Sequence, residues 1–279
     1  SVGPTGRVYG QSRPRDPNAP APAPSAPEGA AAPAAAKPAA VPAGPPASVP
    51  VAAPAAAPAA PDDGTLKHLP GSTLAFTLTQ VRNGFGPADW YPGDHPPMPE
   101  IVAHGRAPEV NACSLCHYPN GKGRPENSGV TGLPYAYFVQ TMMDFKNGNR
   151  KTADSRKANT GRMAGFAKAM TDSEIAAAAA YFSSMKWTPW IRVVETNTVP
   201  KTRIANGMFL KLDGNDTEPI GQRIIEAAEN AEATEMLRDP HSGFVAYVPT
   251  GSIKRGEALV VNGGGGKTTA CGVCHGANL

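Results

Sequence analysis

The sequence has little of what large cores and membrane spans are made from. Aromatic residues make up 6% of its 279 positions and charged residues 18%. No uninterrupted run of about eighteen apolar residues occurs, so no segment reads as a membrane-spanning helix. The run Ile175–Phe182 is far too short. A net charge of +3 gives little basis for nucleic-acid binding and excludes a chain kept open by its own charge. Residues 1–61 lack large side chains almost entirely and hold 16 Pro and 21 Ala. Such a stretch cannot bury enough apolar surface to offset the entropy of ordering it. The part expected to fold is therefore nearer to about 215 residues. The chain begins at Ser1, and no basic-then-apolar leader pattern is visible, so location has to be argued from chemistry.

Cysteine is scarce, and its placement is informative. The four cysteines fall in Cys113-Ser-Leu-Cys116-His117 and Cys271-Gly-Val-Cys274-His275. Both are C-x-x-C-H elements, and none is left over.

Composition divides the chain into four stretches. Residues 1–64 read as a Pro/Ala-rich linker with polyproline II character, either a tail or a semi-rigid tether. Residues 65–187 hold the first motif and a preceding extension. In the extension, Leu74–Arg82 fits strand or helix. Glu100–Arg106 fits a short helix ended by Pro108 and leading into the motif. Leu133–Asn147 suits a helix with Pro134 in its first turn and Gly148 ending it, and Tyr137/Phe138, Thr141/Met142 and Phe145 fall near one stripe. Asn149–Arg162 reads as a polar, basic loop. Thr171-Asp-Ser-Glu174 is a capping box opening a helix to about Lys186, with Ile175, Ala178, Ala179, Phe182 and Met185 on one face. Residues 188–250 read as a small β-containing insert, with strand candidates at 190–194, 203–212 and 243–249. The acidic stretch 226–239 between them fits helix or loop. Residues 251–279 open with a helix from Ser252 to Gly263–Gly266 that delivers the second motif. The halves share a loose repeat of short helix, loop and C-x-x-C-H.

C-x-x-C-H is the sequence signal for covalent c-type haem. Two thiols three positions apart reach the two vinyl groups of one porphyrin, and the next histidine lies under the ring as an iron ligand. Two such motifs consuming every cysteine point to two haems. Competing readings are one zinc shared by the two pairs, a thioredoxin-like redox pair, and two small-loop disulfides. The zinc reading leaves excess ligands, the redox pair lacks its strand and helix, and the disulfides would stabilise little.

A sixth iron ligand is expected, and methionine raises the reduction potential. Met142, Met143 and Met185 read as core. Met163, placed in the loop, is the preferred ligand, and Met170 is the second choice. His68, His95, His104 and His241 leave a bis-histidine site open. Trp187, Trp190 and Tyr135 are candidate haem-propionate donors or core residues. Gly263–Gly266 before Lys267 and Thr268 falls short of a phosphate loop, because Val261 stands where its leading glycine belongs.

Residues 100–187 resemble a class I cytochrome c domain of the small bacterial c553/c5-like type. The likeness runs over the leading helix, Cys113-x-x-Cys116-His117, the helix at 134–147, Met163 and the terminal run Ala167–Ser184. Ser252–Leu279 looks like the start of a second such domain. The resemblance implies a mostly α fold with two haem c groups, held by Cys113, Cys116, His117, Met163, Cys271, Cys274 and His275. The iron ligands would be His117, Met163 and His275. It implies single-electron transfer without catalysis, in the periplasm, free or tethered to the outer face of the inner membrane. Export would call for a signal peptide or anchor upstream. Partners would be a protein donor and acceptor, with no nucleic acid or nucleotide. Alternatives are an electron-transfer subunit fixed in a larger complex, or a haem enzyme or sensor with an open second site. By the same resemblance a helical half with its own ligand is expected after His275, so the sequence reads as truncated. Ligands borrowed from Met208, Met236, His241 or another subunit are the other option.

Overall fold

The structure, a computed structural model, describes residues 62–153, 158–205 and 207–276. Nearly all of the 1–64 linker lies outside them, as do Arg156 and Lys157 of the basic loop.

The helical unit combines short helices of four or five residues with helices of twelve. After a hairpin of β1 (Lys67–His68) and β2 (Ala75–Phe76) comes α1 (Leu78–Val81), then α2 (Glu100–Ala103) and α3 (Cys113–His117). Leu74–Arg82 thus divides between strand and helix, because Thr77 caps α1 with a reciprocal Gln80 contact. The helix α2 stops earlier than Pro108, at the left-handed Gly105 (φ 68°). A Cβ at Gly105 would meet the Val110 carbonyl at 2.2 Å, so the turn needs glycine.

Three longer helices follow, α4 (Tyr135–Lys146), α5 (Ala158–Ala169) and α6 (Asp172–Ser183). Their shared core holds Ile101, Val102, Phe138, Met142, Ala167, Ile175, Ala178 and Phe182. Thr171 and Glu174 form the expected capping box. The small Ala178 and Ala179 are fully buried, as close helix approach requires. Arg106 ties α6 to the end of α5, donating from Nε to Glu174 at 2.8 Å and from Nη2 to the Ala169 carbonyl at 2.7 Å. The part of the expected loop from Ala158 onward is helix. Ala158, Met163, Ala164 and Ala167 are good helix formers, and packing against α4 outweighs Gly161 and Gly165.

The β part is a five-stranded sheet in the order β3-β9-β8-β6-β5, beside a two-stranded β4-β7 pair. The strands are β3 (Ile191–Thr196), β4 (Thr198–Pro200), β5 (Thr202–Ala205), β6 (Met208–Lys211), β7 (Thr217–Pro219), β8 (Ile225–Ala228) and β9 (Phe244–Pro249). The single strand expected over 203–212 is two strands turning at Gly207 (φ 80°). The start of the acidic stretch is strand β8, pairing antiparallel with β9. A π-helical turn, Glu232–Met236, follows it. Met208, Leu210, Ala228 and Phe244 make one core, with Trp190 edge-on to Phe244.

The two parts are joined by residues far apart in sequence. Trp90 donates from Nε1 to the Leu237 carbonyl at 2.7 Å. Leu69, Val81, Trp90 and Tyr91 share a core with Leu237. Tyr91 stacks on His241 at 3.7 Å. Beyond β9 lie α7 (Ser252–Gly266), which loses helical geometry at Asn262–Gly265, and α8 (Gly272–His275). No helix among the described residues is long and apolar enough to cross a membrane.

Candidate functional site

The short helix α3 carries the first motif. Its spacing sets Cys113 and Cys116 on one face, one turn apart. With no side-chain cap of its own, α3 is held by its neighbours. Ser114 Oγ donates to the Val102 carbonyl at 2.7 Å, and Cys113 Sγ lies 3.4 Å from the Ile101 carbonyl. Asn127 Nδ2 donates to the Cys116 carbonyl at 3.3 Å.

His117 is buried, with Nδ1 3.0 Å from the Ser128 carbonyl. A carbonyl only accepts, so Nδ1 carries the proton and Nε2 keeps its lone pair. Burial pushes the His117 pKa down, which keeps the ring neutral, the form that binds a metal. Burial also pushes the Cys113 thiol up to about 12. A thiolate is thus disfavoured there, whereas a thioether carries no charge to bury.

Both thiols and the His117 ring line a cavity of about 310 Å³. Its other walls are Phe138 and Met142 on α4, and Met163 and Phe166 on α5. Met163 comes from the helix rather than a loop, and faces the same space as α3. Met170 lines the cavity as well, and Met142 is both core and wall. The residues fit a haem: an apolar slot, two thiols at one edge, and imidazole and thioether donors on separate elements. Bound there, haem iron supplies one-electron redox chemistry. Among the described residues, Arg150 is the Lys or Arg that lines the wall. Ser128 was missed, because a backbone acceptor leaves no trace in residue type.

The second motif repeats the first at a constant offset, Cys113 to Cys271 and His117 to His275. Gly263, aligned with Gly105, has φ 67°, and a Cβ there would meet the Thr268 carbonyl at 1.8 Å. Thr268 is aligned with Val110, so each left-handed glycine faces the aligned carbonyl, but the second turn stays left-handed through Gly264–Gly266 where the first does not. The residues after the histidines also agree, Tyr118 at φ 61°, ψ 158° and Gly276 at φ 83°, ψ 168°. Burial does not agree: Cys274 and His275 are exposed. All four cysteines are free of disulfides. Among the described residues no three His, Cys, Asp or Glu converge as a metal cluster, so the two pairs do not meet at a shared zinc.

The remaining candidates have other partners. His95 bonds to Asp89, His104 to Glu100 and His241 to Asp94. His68 lies in β1. Met208 is core of the sheet, and Met236 Sδ accepts from Arg82 at 3.2 Å. Trp187 and Tyr135 are exposed.

Residues 102–186 match the protein-family model for cytochrome c. This stretch is a cytochrome c domain. The match points to haem and iron binding and to electron transport. The match ends before the sheet and the second motif. Among solved structures, reduced recombinant cytochrome c4 from Pseudomonas stutzeri is similar at 26% identity, with a TM-score of 0.28. The likeness spans 31% of this chain and 45% of that one, less than half its length. No curated protein matches the chain.

Proposed function

We propose that the chain is a two-haem electron-transfer protein that works in the periplasm and has no substrate of its own. One observation carries this reading: Cys113, Cys116, His117 and Met163 line a single apolar cavity inside the cytochrome c domain. In this reading the Cys113 and Cys116 thiols would hold the porphyrin edge, and His117 Nε2 and Met163 Sδ would be the iron's ligands. With His117 and Met163 both supplied by the chain, the first site would leave no ligand position for a substrate and would only exchange electrons. Cys271, Cys274 and His275 hold the second haem, supported by the repeated C-x-x-C-H spacing and the matching backbone after each histidine. Redox proteins on both sides are the partners, with the chain free in the periplasm or tethered to the outer face of the inner membrane. Fixation as a subunit of a larger complex uses the same chemistry and differs in partner.

The test is a reductive titration of protein matured with c-type haem machinery. Two electrons per chain, each taken up in a one-electron step, are expected. Carbon monoxide should leave the first haem unaltered. Rapid CO binding at that haem in the intact protein would contradict the closed-site reading.

A further inference from the structure

The segment between β8 and β9 runs against the outside of α3, and its contacts go to the haem motif itself. Arg238 donates from Nη1 to the carbonyl of Leu115, the residue just before Cys116. In a continuing helix that carbonyl would accept from the fourth residue onward. Here that residue is Pro119, which has no N–H. The guanidinium supplies the missing donor. Arg238 adopts φ 50°, a left-handed backbone that side chains other than glycine rarely take, and its Nε is buried without a hydrogen-bond partner.

A second contact lies at the other end of the motif. Tyr118 directly follows His117 and holds a backbone that glycine adopts far more readily, as Gly276 does in the second motif. Its ring is buried, and its hydroxyl donates to the Thr234 carbonyl at 3.3 Å. Around these two residues, Arg124 donates to Glu235 at 2.7 Å and pairs with Glu126, whose carboxyl burial pushes up in pKa. The second motif has an exposed histidine and no tyrosine at the matching place.

We propose that residues 231–241 brace the first haem motif, and that Arg238 is a positioning residue whose fixed charge at the Leu115 carbonyl raises that haem's reduction potential. The proposal rests on the haem reading of Cys113, Cys116 and His117 and goes beyond it. A guanidinium stays protonated at every accessible pH. A cation held against the motif's backbone, with its Nε out of water, disfavours an oxidised haem, which would carry one more positive charge. The brace thus gives the two haems of one chain different potentials, with the first the higher.

The experiment uses full-length holoprotein with Cys271 and Cys274 replaced by serine, so that one haem is titrated. Midpoint potentials are read by spectroelectrochemistry, and haem content by intact mass. Arg238→Gln is expected to shift the midpoint downward, and Arg238→Lys to restore most of the shift, because the charge returns without the planar fork. Should Arg238→Gln fail to mature, Trp90→Phe carries the test. It frees the Leu237 carbonyl next to Arg238 without touching the motif, and a smaller downward shift is expected. Haem-loaded variants that keep the unsubstituted midpoint would overturn the brace. Absence of covalent haem from the unsubstituted Cys113/Cys116 site would instead overturn the haem reading.

Discussion

Trp90 and Leu237 are 147 positions apart, yet the indole Nε1 of one donates to the carbonyl of the other at 2.7 Å. Trp90 is among the largest fully buried side chains, and it joins the extension before the haem motif to the segment that covers it. Trp90→Phe keeps an aromatic ring but removes the indole N–H, which leaves the Leu237 carbonyl unpaired. It should cost about 1–3 kcal/mol in denaturant unfolding of the holoprotein. Loss within experimental error would mean that the two parts are not joined through this contact.

The axial assignment separates two methionines that line the same cavity. Met163→Ala should abolish the charge-transfer band of a methionine-ligated ferric haem and lower the midpoint potential. Met170→Ala should keep the band and lose stability, by about 2–5 kcal/mol for a buried methionine truncated to alanine. The reverse pattern would transfer the ligand role to Met170.

The expectation of Met163 in a loop shows where local sequence stops informing. Thr171-Asp-Ser-Glu174 is legible because a capping box is made by four adjacent residues. The C-x-x-C-H motifs are legible because covalent chemistry fixes their spacing. The helix around Met163 carries Gly161 and Gly165 and depends on packing against α4, so nothing within a few residues announces it. The start of the acidic stretch reads ambiguously for the same reason. Ile225–Ala228 becomes a strand through pairing with β9, residues away in the chain. The brace contacts, Arg238 to Leu115 and Tyr118 to Thr234, span more than a hundred positions and have no local signature.

His95 should make stability depend on pH. Its side chain is buried, with Nδ1 2.8 Å from the Pro96 carbonyl and Nε2 3.1 Å from Asp89 Oδ2. Two acceptors call for a doubly protonated ring, and the hydrogen bond to Asp89 raises its pKa above the ordinary value of about 6.5. A raised folded value means stability that is fully present below pH about 6.5 and is lost as pH rises through the folded pKa. Unfolding midpoints should fall over that interval in the parent and stay flat in His95→Gln. A parent that gains stability across the same interval would reverse the sign of the argument.

Electron exchange should respond to salt. Residues 113–187 hold ten Lys and Arg against five Asp and Glu. Lys151, Arg162 and Lys168 are exposed. With an acidic redox partner, the bimolecular rate should drop between low ionic strength and about 0.15 M, where the screening length is near 8 Å. A rate independent of salt would leave these cations as a solvated face.

The central claim, that both C-x-x-C-H motifs carry covalent haem, is tested most directly by the intact mass of denatured, acid-acetone-extracted protein after native maturation. The account predicts the polypeptide mass plus two haems, falling to one haem when Cys113 and Cys116 or Cys271 and Cys274 are replaced by serine. A polypeptide mass without any added haem, in correctly matured material, would contradict it.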